Sequence, residues 1–187
     1  MSKEADAPDS LIPKHGGYRD LKSFQNASIV YDATVAFCDR FIPLRSRTHD
    51  QMVQAARTGK QNIAEGSQAS GTSRKTELKL VGIARASLEE LLQDFLDYLR
   101  QHKLAEWDKG DPRKARIRAL AHAPDKSYGT YAELVEKGTP EQAANTLVCL
   151  INQTNYLLDQ QLRQLDRRFL EEGGMTERLY RMRQQRR

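Results

Sequence analysis

Several hallmarks of secreted, membrane-spanning and catalytic proteins are missing from this sequence. It has only two cysteines in 187 residues, Cys38 and Cys149. A disulfide framework needs more of them, so both are expected as reduced core thiols. No apolar run approaches the roughly 20 residues that cross a bilayer, and no charged, apolar and small leader pattern opens the chain. These absences point to a cytoplasmic protein. No internal repeat occurs, and no period-two alternation argues for strands.

Catalytic patterns are equally scarce. The four histidines, His15, His49, His102 and His122, neither pair at helical spacing nor sit in a Glu-x-x-His pattern, so no metal or other cofactor is expected. No Gly-x-Ser-x-Gly elbow and no glycine-rich phosphate loop is present. Glu90, Asp94 and Asp97 line one helical face and read as solvated surface rather than a magnesium site. One enzymatic alternative exists: Arg116 and His122, with five residues between them, resemble the Arg-to-His spacing of helical ribonucleases of the HEPN class, where such a pair polarises a phosphate and moves a proton. The expectation is a protein that is not an enzyme.

The sequence does contain long helical periodicity. The chain is 39 % hydrophobic and 29 % charged, enough for one core with a wet exterior. Residues 1–17, with Pro8, Pro13, Gly16 and Gly17, read as a flexible arm. A first helix is predicted from about Leu21 to Ile42, ended by Pro43. It carries two adjacent apolar stripes, Phe24–Ala27–Tyr31–Val35–Cys38–Phe41 and Val30–Ala33–Phe37. A second begins near Thr48, which forms a capping-box pattern with Gln51, and stops at Gly66. Ala55, Ala56 and Gly59 keep one of its sides slim. The two stripes and this slim side predict that a second copy of the chain covers part of the surface.

A Ser/Gly loop, 67–73, precedes a third helix capped by Thr72 or Ser73 and running to about Lys103. Its Val81, Ala84, Leu88, Leu91, Phe95 and Tyr98 have bundle-seam spacing. Residues 104–138 break the pattern and read as an insertion holding a short basic helix, Arg113 to His122, and another short helix from Tyr131 to Lys137. Thr139, Pro140 and Gln142 then start a fourth helix, which carries Leu147, Ile151 and Leu158 on its seam and ends at Gly173-Gly174. A basic tail, 175–187, follows. The fold class is therefore all-α: an antiparallel up-down four-helix bundle over 18–174, with a helical insertion between the third and fourth helices.

Several motifs in this frame are specific. They are Tyr18-Arg19-Asp20-Leu21, Phe24-Gln25-Asn26-Ala27, Asn62-Ile63-Ala64-Glu65-Gly66 and Ala84-Arg85-Ala86-Ser87-Leu88-Glu89-Glu90-Leu91. Over 18–100 the chain resembles a bacterial family of four-helix-bundle proteins. That family includes proteins encoded in intervening sequences of large-subunit ribosomal RNA genes and the accessory variability determinant of diversity-generating retroelements. Where the family usually has Gly, this chain has Ala86, and its fourth helix and tail look like a variant class with a C-terminal suffix. The resemblance implies an antiparallel bundle, a ring-shaped homopentamer and no catalysis. It also implies nucleic acid and a reverse transcriptase as partners of the retroelement relatives.

Three basic clusters are candidates for phosphate contact. Arg57 and Lys60 on the second helix stand with Arg74, Lys75 and Lys79 at the start of the third. Lys109, Arg113, Lys114, Arg116 and Arg118 crowd the insertion. Arg178, Arg181, Arg183, Arg186 and Arg187 fill the tail, where Tyr180 can stack on a base. Asn62, Glu65 and Arg85 are expected to form a polar clasp between the second and third helices. The leading expectation is a non-catalytic homo-oligomer that binds RNA or DNA through basic surfaces. The alternative is a protein–protein scaffold whose basic tail serves solubility.

Overall fold

The computed structural model describes Ile12 and residues 15–185. Among these residues there is no strand, and the chain is all-helical. Four long helices, α1 (Lys22–Phe41), α2 (Arg47–Ala69), α3 (Arg74–Gln101) and α6 (Pro140–Glu172), share one core. α1 and α3 each pack on both α2 and α6. No helix among the described residues is long and apolar enough to cross a membrane.

Seam spacing becomes burial. Leu88, Leu91, Leu147, Ile151 and Leu158 are all fully buried in the common cluster. Phe37 lies between Phe95 and Tyr98, with ring centroids 4.9 Å from each in edge-on geometry, the arrangement that suits aromatic quadrupoles. Most of both apolar stripes of α1 is covered within the chain, while Val35 stays half-buried outside the core cluster. Val30, Ala33, Phe37 and Cys38 are buried, while Phe24, Tyr31 and Phe41 pack against the core from its edge. The slim side of α2 is also covered: Ala55, Ala56 and Gly59 are buried. Most of the surface expected to meet a second copy is thus packed within the chain, and Val35 is the part of it left half-buried.

Helix ends differ from expectation in two places. Ser46, not Thr48, caps α2, accepting from the Thr48 N–H at 3.2 Å. Gly66 does not stop α2, which continues to Ala69. A Cβ on Gly66 would lie 3.4 Å from the Glu77 carbonyl and from Leu80 and Val81, so this glycine marks a close approach to α3. Gly59 is tighter still, since a Cβ there would lie 2.7 Å from Cγ and Cδ2 of the fully buried Leu88. Helix propensity alone favours Gly59→Ala by up to about 1 kcal/mol, whereas overpacking costs about 1–3 kcal/mol. Packing wins at this distance. Gly59→Ala is expected to lower stability in urea titration, and a gain would show that α2 and α3 can separate freely.

The insertion is pinned to α6. It contains α4 (Pro112–Leu120) and α5 (Gly129–Ala132), which runs into a π-helical turn, Glu133–Lys137. Asp111 caps α4 through the Arg113 N–H. The buried Asn145 of α6 accepts from the Trp107 N–H at 2.9 Å and donates to the Ala105 carbonyl at 2.9 Å. Trp107 Nε1 donates to Glu141 at 2.8 Å, which holds that carboxyl below its usual range. Asn145→Ala would leave a buried N–H unpaired, at a cost of about 1–3 kcal/mol. Because Trp107 is the sole tryptophan, its emission should shift to the red as the segment loosens. An unchanged spectrum and stability would mean that Asn145 is not the anchor.

At the other end, α6 begins as expected. Thr139 accepts from the Gln142 N–H at 3.2 Å, and Pro140 takes the first helical position. It ends at Gly173, whose φ of 68° favours glycine. The expected arm, 1–17, lies mostly outside the described residues. Its last part is held rather than loose: Gly16 N–H donates to the Ser67 carbonyl at 3.1 Å and Ser67 Oγ to the Gly16 carbonyl at 2.9 Å.

Candidate functional site

The basic tail is a helix. Residues Met175–Gln185 form α7, which buries no residue; Arg186 and Arg187 lie outside the described residues. Glu177 starts it, accepting from the Gly174 N–H at 2.8 Å. Met175, Leu179 and Met182 recur at helical spacing. Between α7, the end of α6 and the turn from α2 into α3 lies a cleft of about 400 Å³, lined by Arg74, Arg178, Arg181, Gly71, Met182 and Gln185 among others. The fold therefore joins one arginine from the start of α3 to two from the C-terminal suffix, about a hundred residues away.

Arg74 and Arg181 hold protein oxygens at the end of α6. Arg74 pairs with the Glu172 carboxylate and donates to the Arg168 carbonyl at 3.2 Å and the Gly173 carbonyl at 3.4 Å, closing off the C-terminal end of α6. Arg181 donates to the Glu172 carbonyl. The hydrogen bond from Arg74, together with the charges of Arg74, Arg168 and Arg181, keeps the Glu172 carboxyl below the ordinary glutamate range. Burial pushes the nearby Glu77 carboxyl up, against the pull of Arg168 and Arg74. The lining favours anions: Arg74, Arg178 and Arg181 stand there against the carboxylate of Glu172.

A second cleft of about 550 Å³ lies beside the first and shares Glu172, Gly173 and Arg181 with it. It is lined by Leu170, Tyr180, Glu171 and Glu177. Leu170 is 76 % exposed and Tyr180 65 % exposed, so an apolar-aromatic pair stands open next to the arginines.

The other expected contact residues lie elsewhere. Lys75, Lys79 and Arg183 are exposed but line neither cleft. Arg57 is exposed on α2, and Lys60 sits over the Tyr31 ring, 4.3 Å from its centroid. In the insertion, much of the positive charge is used in holding the fold. Lys114 donates to the Trp107 carbonyl at 2.9 Å, Arg118 to the Lys109 carbonyl at 3.1 Å, and Arg113 pairs with Asp111 and stacks 4.1 Å from the Trp107 ring centroid.

The expected clasp does not form between Glu65 and Arg85. Asn62 donates to the Thr58 carbonyl of its own helix at 2.9 Å, and Glu65 is exposed. Gly66 faces α3, and the next residue back on a helix points about 100° away, which turns Glu65 to solvent. Arg85 instead pairs with Glu89 at 2.8 Å and with Asp159 of α6 at 3.1 Å, and Asn155 donates to Glu89 at 3.3 Å. A polar clasp exists, but it joins α3 to α6.

Of the two residues of the ribonuclease alternative, Arg116 lines a cavity of about 380 Å³ beside α4 with Trp107, Arg113 and Glu141, and His122 is not among the residues that line it. Among the described residues no group of three or more His, Cys, Asp or Glu could hold a metal ion. Both cysteines are buried, and burial, first, with the charges of Asp39 and Asp94 pushes the Cys38 thiol up to about 12, far from a reactive thiolate. Compared with protein-family models, curated proteins and solved structures, the chain matches none.

Proposed function

We propose that this chain is a non-catalytic, cytoplasmic nucleic-acid-binding protein, built as an up-down four-helix bundle and working as a homo-oligomer. The observation that carries the reading is the cleft at which Arg74, Arg178 and Arg181 converge from distant parts of the sequence. Arginine presents a planar fork of donors that suits phosphate and does not lose its charge near neutral pH. Multiple copies in a ring, as the family resemblance implies, would add weak contacts through multivalency.

The test is the salt dependence of binding. Full-length protein titrated into labelled single-stranded RNA or DNA should bind, and its log affinity should fall with log salt by about 0.7 for each phosphate contacted. Light scattering after size exclusion measures the assembly, and a clean monomer at micromolar concentration would remove the homo-oligomer from the proposal. The scaffold reading has its own observation, the exposed Leu170 and Tyr180. It takes first place if no nucleic acid binds even at about 50 mM salt, where screening is weak.

A further inference from the structure

The two clefts flanking α7 differ in chemistry, and the difference selects between forms of nucleic acid. On one side are Arg74 and Arg178, while Arg181 and Glu172 line both clefts. On the other are Tyr180 and Leu170, with the carboxylates of Glu171 and Glu177. A phosphate is drawn to the first and repelled by the second. An unpaired base suits the second, because every base has a face that stacks on an aromatic ring, and its ring or amino N–H groups can donate to carboxylates. A duplex keeps its bases inward and offers a rigid convex backbone, so it can use only the arginine side. A single strand can place a phosphate on one side of α7 and turn the adjoining base to the other.

Resting on the nucleic-acid reading above, we infer that the α7 clefts form a single-strand seat: phosphate binds at Arg74, Arg178 and Arg181, and the neighbouring base stacks on Tyr180. The Glu172 carboxylate marks the phosphate position, since it already fills part of the Arg74 fork. An incoming phosphate replaces it there, so Glu172 is an internal competitor of the ligand.

The experiment measures fluorescence anisotropy of labelled oligothymidylate and of a mixed-sequence duplex of equal length, with the full chain at low salt. The single strand should bind at least about fivefold more tightly, the lower bound of one stacked base. Tyr180→Ala should weaken single-strand binding about fivefold or more and leave duplex binding unchanged, while Tyr180→Phe should keep wild-type affinity. Tyr180 is exposed, so neither variant threatens the fold. Glu172→Gln should bind the single strand more tightly than Glu171→Gln, which makes the same charge change at a carboxylate that is not ion-paired with Arg74. Equal affinity for strand and duplex, or no effect of Tyr180→Ala on an otherwise binding protein, would overturn the seat and leave the nucleic-acid reading standing. Absence of binding to both probes would overturn the two together.

Discussion

Leu91→Ala is expected to cost about 2–5 kcal/mol of stability, the usual range for removing a buried leucine side chain from a core that cannot collapse around the loss. Leu91 is fully buried on α3, which packs on both α2 and α6. Its neighbours along the α3 seam, Leu88 and Phe95, are also fully buried. Their freedom to move is small, because Leu88 is set against Gly59 of α2 and Phe95 against Phe37 of α1. A cavity here would therefore stay open. Domains of this kind have only about 5–15 kcal/mol in total, so the variant should be visibly marginal. Urea titration should show a lower midpoint with an unchanged slope, the signature of lost stability in the same folded state. A loss under about 1 kcal/mol would mean that the core repacks far more easily than its interlocked side chains allow.

The seam was legible because three-and-four spacing is a local property of one helix. So was the start of α6, where Thr139 and Pro140 act within a single turn. What depends on a partner helix was not legible. Gly66 at the end of an apolar pattern looks like a stop signal, and only the approach of α3 reveals it as a contact. Ser46 and Thr48 are both good caps, and nothing local chooses between them. Arg85 has acids available on several helices; which one it meets depends on helix rotation, and α6 supplies Asp159. The anchoring of Trp107 by Asn145 joins residues 38 apart, with no pattern to announce it. α7 is a different case. Its period is present in Met175, Leu179 and Met182, but so dense a run of arginine has the composition of a solvated tail. Arg178 and Arg181 line one cleft with Arg74 only because the suffix is helical, so the cleft is not legible without that helix.

Removing residues 175–187 should abolish most phosphate contact while leaving the core intact. The deletion takes away five arginines, Arg178, Arg181, Arg183, Arg186 and Arg187. If each neutralises one phosphate of a single strand, the log–log salt slope should become shallower by up to about 3.5. A slope change of that size means a factor of roughly a hundred in how far affinity falls between about 50 and 200 mM salt. The fold should tolerate the cut because α7 buries no side chain, and Arg74 keeps its bonds to Glu172 and the end of α6. Circular dichroism and thermal melting should therefore show loss of one short helix and little change in midpoint. Arg74, Lys75 and Lys79 would remain at the start of α3 and account for weak residual binding. A full-length protein that binds with the same slope as the deletion would place the interface elsewhere. The exposed cations of the insertion, Lys109 and Arg116, would then be the first to substitute, because the other three basic residues there already hold protein oxygens.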